Sequence, residues 1–148
     1  MTATTRPLQP SDRPRWNALW DGYLEFYETV LSAEQTELTW ARLLDPASGI
    51  EGLVAELDGE VIGLAHYSYT RSTWARNRDL YLEDLFVDPS VRGKGVGKTL
   101  ILALNEIARS EGSRRVYWET HRDNQTARRL YDSVGTLSEF VKYSRDVD

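Results

Sequence analysis

The chain has 148 residues, 41% of them hydrophobic, and carries 18 Lys and Arg against 23 Asp and Glu, a formal net charge of -5. That length suits one domain around one sizeable core, and the acidic balance disfavours nucleic-acid binding, which needs a concentrated basic face. No apolar run approaches the roughly 20 residues that span a bilayer and the amino terminus lacks a secretory apolar stretch, so a soluble, cytoplasmic protein without a membrane partner is expected. With no Cys and only His66 and His121, a disulfide framework, an ordinary zinc site and a cysteine-bound acyl enzyme are excluded, and no metal is expected.

Residues 4–8 read as a first strand, and Ser11 or Asp12 offers a helix N-cap with Pro14 in the first turn. Trp16, Leu19, Trp20, Tyr23, Leu24 and Tyr27 then recur at helical spacing as one apolar stripe. Most of these belong to a core, whereas Tyr27 and Glu28, near the helix end, are placed to border the mouth of a substrate site. A second short helix covers 36–44 and stops before Asp45-Pro46. Residues 53–57, the turn Asp58-Gly59 and residues 61–70 make a hairpin. A polar connection over 71–78 leads to a strand over 79–87. Leu100, Ile101, Leu104, Ile107 and Ala108 mark a helix ending near Gly112. A strand over 115–119, a helix over 124–134 and a last strand near 139–146 complete the chain. The hairpin-rich first half and the strand–helix–strand crossovers of the second make a mixed α/β fold in a single domain, 1–148.

The chemistry concentrates between Leu80 and Gly135. After a strand ending in Asp88-Pro89 comes Arg92-Gly93-Lys94-Gly95-Val96-Gly97-Lys98, followed by an amphipathic helix. The glycines let successive N–H groups turn toward one anion, and the helix start adds its unpaired N–H groups and the positive end of its dipole. A pyrophosphate fits there, with Arg92, Lys94 and Lys98 around it. Two nucleotide motifs fail on spacing. A P-loop needs Gly where Arg92 stands, and the dinucleotide fingerprint needs its third Gly where Lys98 stands. Further on, Asn124 and Tyr131 are seven residues apart, which places them on nearly the same helix face about 10 Å apart along the axis. Both can face one elongated ligand. On residue type alone Tyr131 also fits a core aromatic between Ala127 and Val134. Asn124-Gln125-Thr126 matches a glycosylation triplet, but nothing indicates a secretory route.

Arg92, Gly95 and Gly97 in Arg-x-x-Gly-x-Gly, with Asn124, Ala127, Leu130 and Tyr131 followed by Gly135, resemble the two signature motifs of the GNAT N-acetyltransferases. Gly63 to Thr70, Ser72-Thr73-Trp74 and Tyr81 to Val87 look like the branch of spermidine/spermine and histone or polyamine acetyltransferases. The segments Leu19 to Tyr23 and Phe26-Tyr27-Glu28 are similar to the histone and polyamine group. Thr136-Leu137-Ser138 departs from the pattern, since many members place an aromatic after the glycine.

The resemblance implies the GNAT fold, a mixed central sheet flanked by helices, acetyl-CoA as acetyl donor, and a homodimer. Residues 92–98 and Asn124 would bind the cofactor, with Tyr131 near the thioester sulfur. It also implies that Glu83 is the general base and that Asp84 helps hold a cationic acceptor.

Acetyl transfer to an amine requires a neutral nitrogen, and an alkylammonium with a pKa near 10.4 costs roughly 4 to 5 kcal/mol to deprotonate at neutral pH. A base or a water chain must help. In an undistorted strand Glu83 and Asp84 point to opposite faces and so take different roles. The alternative is that both pair with Arg76 or Arg78. A backbone N–H among Leu85, Phe86 and Val87 can stabilise the oxyanion, and Tyr131 can protonate the departing thiolate, since thiols lie near 8.5 and tyrosine near 10. Trp74 either closes over the acceptor by cation–π contact or packs onto the sheet, and Trp118 belongs to the core. The expected activity is acetyl transfer to a small polyamine-like or lysine-like primary amine. A protein lysine is the nearest alternative acceptor, and a noncatalytic acyl-CoA sensor is the reading from another class.

Overall fold

The computed structural model describes residues 2–147. Five strands, β1 (Thr4–Pro7), β2 (Ile50–Leu57), β3 (Glu60–Thr70), β4 (Asp79–Val87) and β5 (Val116–Tyr117), form one sheet in chain order. The first four are mutually antiparallel and β5 runs parallel to β4. Helices α1 (Arg13–Phe26) and α2 (Ala33–Leu44) cover one face, while α3 (Val96–Ser110) and α4 (Gln125–Val134) cover the other. Trp16, Trp20, Trp40, Leu64 and Phe86 form the core under α1 and α2. Leu80, Leu82, Leu100, Ile101 and Leu104 form the core under α3.

The helical stripe of the sequence is realised in α1, where Trp16, Leu19 and Trp20 are buried. Gly22 sits where α1 crosses the sheet. A Cβ there would lie 2.9 Å from the Phe86 ring, so a helix glycine, unfavourable by propensity, permits the close approach. Asp12 precedes α1 without capping it. Its carboxylate instead accepts from Gln9 N at 2.8 Å and pairs with Arg6 at 2.8 Å, which drives the Asp12 carboxyl below its usual range. Helix α2 starts three residues before the predicted 36, because Ser32 caps it by accepting from Gln35 N at 3.0 Å.

Two departures from the sequence reading shape the site. First, β4 is not a regular strand. Its register with β3 slips between His66 and Tyr67, so that His66 faces Asp84, Tyr67 faces Leu82, and Glu83 is the extra residue of a β-bulge. Leu80 and Leu82 point toward α3 before the bulge, and Leu85 and Val87 do so after it, while Asp84 and Phe86 turn toward α1. Second, no strand follows α4 among the described residues, so the predicted strand near 139–146 is not formed. A strand needs a partner, and the tail finds none among the described residues. Leu137, Phe140, Val141 and Tyr143 stand exposed, and Leu137 and Phe140 line a groove of about 740 Å³ that separates the tail from β5. Among the described residues no helix is long and apolar enough to cross a membrane.

Candidate active site

The parallel pair β4–β5 extends over two residue pairs, Leu80 with Val116 and Tyr81 with Tyr117. Beyond them the strands part, and the outer edge of β4 opens into a cavity. Backbone direction alternates along a strand. Asp88 N–H donates toward β3, to Ile62 O at 2.8 Å, so the N–H groups of Val87 and Leu85 turn to the open edge. The Val87 carbonyl lies on that same edge, where it accepts from Arg92 Nε at 3.4 Å.

The glycine loop crosses the end of this edge. Asp88 accepts from Ser90 N at 2.9 Å and pairs with Arg15 at 2.9 Å, which fixes the strand end and holds the Asp88 carboxyl below its usual range. Gly95 is the N-cap of α3 with φ 77°, in the left-handed region that favours glycine. The first helical bond of α3 is Thr99 N to Gly95 O at 3.0 Å, so the N–H groups of Val96, Gly97 and Lys98 point out of the helix start. Arg92 reaches back over Phe86 and Phe26, its guanidinium 5.4 Å and 5.9 Å from the ring centroids. That contact steers its charge across the loop mouth.

A single cavity of about 480 Å³ joins this loop to α4 and to the end of α1. Leu85, Phe86, Val87, Arg92, Gly93, Gly95, Val96, Gly97, Lys98, Asn124, Tyr131 and Tyr27 all line it, which brings most of the residues singled out in the sequence into one place. Lys94 is exposed and outside the lining, although it belongs to the same loop. Asn124 is the N-cap of α4 rather than a residue within it. Its Oδ1 accepts from Ala127 N at 3.2 Å and its Nδ2 donates to Thr120 Oγ1 at 3.3 Å, so its first task is to fix the helix start. Tyr131 is half-buried and packs edge-on against Trp118 at 5.5 Å. Trp118 is therefore the wall that orients it.

Burial, with Tyr27 adding to it, pushes the Tyr131 phenol up to about 12. This alters the argument from matched pKa values. Full proton transfer to a thiolate near 8.5 is uphill by roughly 5 kcal/mol. A phenol that stays protonated serves better as a hydrogen-bond donor to developing negative charge.

Glu83, on the bulge, is exposed and stands outside the cavity lining, two residues before Leu85, which lines it. Partial burial and the adjacent Asp84 charge raise its carboxyl above the ordinary value, against a smaller lowering by His66. Asp84 is placed differently from what a direct contact with acceptor requires. It is buried, and both its oxygens are engaged, Oδ1 by Tyr23 OH at 2.5 Å and Oδ2 by His66 Nδ1 at 3.0 Å. The alternative pairings with Arg76 and Arg78 are not made, since Arg78 reaches Glu111 and stacks over Tyr69. Trp74 is 77% exposed in the β3–β4 connection, which removes the option that it packs onto the sheet. Glu28 is exposed and takes φ 52° just past α1, outside the cavity lining. Sequence reasoning gave no role to Tyr23 and His66, the two residues that hold Asp84. The available signal was a histidine inside the apolar run Gly63-Leu64-Ala65-His66-Tyr67.

A glycine loop opening a helix, beside two parallel strands that part over a cavity, makes a site suited to an elongated ligand with an anionic end. The chain belongs to the acetyltransferase (GNAT) family, whose model matches residues 16–136, and it is an N-acetyltransferase. It is 35% identical over 143 residues to the D-amino-acid N-acetyltransferase HPA3 of Saccharomyces cerevisiae, covering 95% of this chain and 89% of that protein. It is 35% identical over 85 residues to the thialysine N-epsilon-acetyltransferase of Caenorhabditis elegans, covering 57% of this chain and 52% of that one. Among solved structures, AAC(6')-Iy in complex with the bisubstrate analogue CoA-S-monomethyl-acetylneamine superposes with a TM-score of 0.84 at 21% identity, covering all of both chains. At that identity the match speaks for the fold. Among the described residues no group of His, Asp and Glu is arranged to hold a metal ion.

Proposed function

We propose that the enzyme transfers acetyl from acetyl-CoA directly to a primary amine on a small polyamine-like or lysine-like molecule. The observation that carries this reading is the continuity of one cavity from the α3 helix start to Tyr131 and Tyr27. The pyrophosphate lies on the N–H groups of residues 96–98 with Arg92 and Lys98 beside it, and Lys94 adds exposed positive charge to the loop. The pantetheine arm follows the open edge of β4 past Asn124. The thioester carbonyl then meets the N–H groups of Leu85 and Val87, which serve the oxyanion as it forms. Glu83 takes a proton from the ammonium, directly or through water, and Tyr131 donates a hydrogen bond to the leaving sulfur. Tyr27 borders the acceptor, while Trp74 and Glu28 lie on the exposed approach.

The named activities of the two relatives, on D-amino acids and on thialysine, support a free amine of small size over a protein lysine. Glu83 and Tyr131 support an enzyme over a sensor, which would need neither. Thiol release from acetyl-CoA, measured with polyamines, thialysine, D-amino acids and basic peptides, tests the reading. Turnover with a small amine is expected. Acetyl-CoA binding without turnover on any of them would leave the sensor, and turnover confined to peptides would leave the protein acetyltransferase.

Tyr131→Phe keeps the ring against Trp118 and removes the donor. A hydrogen bond to a charged group is worth about 1.5 to 3 kcal/mol, so kcat should fall on the order of tenfold to a hundredfold, with acetyl-CoA affinity little changed. Steady-state kinetics with chemistry rate-limiting decide it. Wild-type turnover in the variant would return Tyr131 to a packing role.

The exposed tail and the groove beside β5 support a homodimer in which two copies bury these surfaces together. Sedimentation equilibrium should give a dimer for the wild type and a monomer for Phe140→Glu. A wild-type monomer at micromolar concentration would remove the dimer.

A further inference from the structure

A chain of buried hydrogen bonds runs behind Glu83. Trp16 Nε1 donates to His66 Nε2 at 3.0 Å, and an indole N–H has no other role than donor. His66 Nε2 is therefore the acceptor nitrogen, the ring proton sits on Nδ1, and Nδ1 donates to Asp84 Oδ2 at 3.0 Å. The other carboxylate oxygen receives Tyr23 O–H at 2.5 Å. Each of these partners is fixed by packing. Trp16 and His66 are 0% and 3% exposed, and the Tyr23 ring stacks on Trp20 at 5.0 Å and meets Tyr27 at a tilt at 4.8 Å. Burial, then the charge of Asp84, raises the Tyr23 phenol far above its usual value. Tyr27 lines the cavity, and so does Phe86, whose ring lies 6.4 Å from that of Tyr23.

The consequence concerns direction. Asp84 takes the one proton a phenol can donate, which leaves the Tyr23 oxygen with acceptor capacity alone. Glu83 is the next residue along β4, and its carboxylate is likewise an acceptor. A primary ammonium has N–H bonds enough to give to both acceptors. After Glu83 removes one proton, a neutral amine still holds an N–H for Tyr23 while its lone pair turns to the thioester carbonyl.

The geometry points to Tyr23 as a further acceptor-binding residue, a hydrogen-bond acceptor for the substrate amine, held in that polarity by Asp84 and His66. This rests on the amine-acetylating reading above and deepens it. Asp84 and His66 are positioning residues that act through Tyr23, which accounts for an acidic residue near the acceptor that does not touch it.

Two isosteric substitutions test this. Tyr23→Phe keeps the stack and removes the oxygen, and should raise the KM for thialysine or the best amine on the order of tenfold to a hundredfold. Its acetyl-CoA Kd, measured by calorimetry, should stay within about twofold, because the removed oxygen bonds Asp84 and the amine and lies outside the cofactor's contacts. Asp84→Asn has a sharper signature. Its amide must present oxygen to His66 Nδ1–H, so its NH₂ faces Tyr23 and turns the phenol O–H outward against the ammonium. The KM penalty should then equal or exceed that of Tyr23→Phe, and the double variant should be far from additive. An unchanged amine KM in Tyr23→Phe, or additive effects of the two, would overturn the assignment. Should one variant fail to fold, the amine KM of the other decides alone. A wild type that acetylates no amine at all would overturn the functional reading as well, which separates the two failures.

Discussion

Gly95→Val is expected to raise the Kd for acetyl-CoA about a hundredfold or more, since at least two charge-assisted hydrogen bonds to the pyrophosphate are lost together. Gly95 has φ 77°, and a β-branched residue there costs on the order of 1 to 2 kcal/mol unless the loop rearranges. The loop can rearrange, because a Cβ on Gly95 would meet nothing within 4 Å. Relief of the strain therefore swings the N–H groups of residues 96–98 away from their shared focus while leaving the core alone. Gly97→Ala is the contrasting variant. Its Cβ would lie 3.1 Å from Leu130 Cδ2, so it presses α3 against α4 and acts on packing rather than on backbone direction. Calorimetry and circular dichroism on both variants check the distinction. Unchanged affinity in a folded Gly95→Val protein would remove the pyrophosphate from this loop.

The loop, helix start and cavity of the proposed cofactor site were legible because their signals are local. A turn needing left-handed residues, a helix start and an apolar period all lie within about twenty residues, and the cavity forms where they say it should. The Tyr23, His66 and Asp84 cluster proposed to serve the acceptor depends on contacts that sequence spacing does not encode. Tyr23 meets Asp84 across 61 positions and Trp16 meets His66 across 50. Read along the chain, Tyr23 is one more aromatic on a core stripe. The bulge at Glu83 was equally hidden, since the adjacent carboxylates Glu83 and Asp84 interrupt the alternation without showing which way each turns, and the slip appears only against β3. That slip is what lets Glu83 stay exposed while Asp84 turns inward toward α1. The tail failed for the opposite reason. Residues 139–146 have strand composition, but composition cannot supply a neighbouring edge, and β5 leaves that edge separated from the tail by an open groove.

Glu83→Gln should lower kcat/KM at neutral pH by on the order of 10² to 10⁴, the usual worth of a positioned base. The sign of the pH dependence follows from what burial and Asp84 do to Glu83. Both raise its carboxyl, so the wild type loses its base at a pH above the ordinary carboxylate range, and activity falls as pH drops through that raised value. Glutamine removes this limb. The variant retains a second dependence, on the fraction of amine already neutral in solution, which climbs tenfold per pH unit below an ammonium pKa near 10.4. Activity should accordingly recover as pH rises, and the gap between the two enzymes should narrow steadily toward alkaline pH. Tyr131 does not blur the comparison, because a phenol pushed up to about 12 stays protonated across the range measured. Superimposable profiles for wild type and Glu83→Gln, with chemistry rate-limiting in both, would assign the deprotonation to solvent and leave Glu83 as a charge that attracts the ammonium.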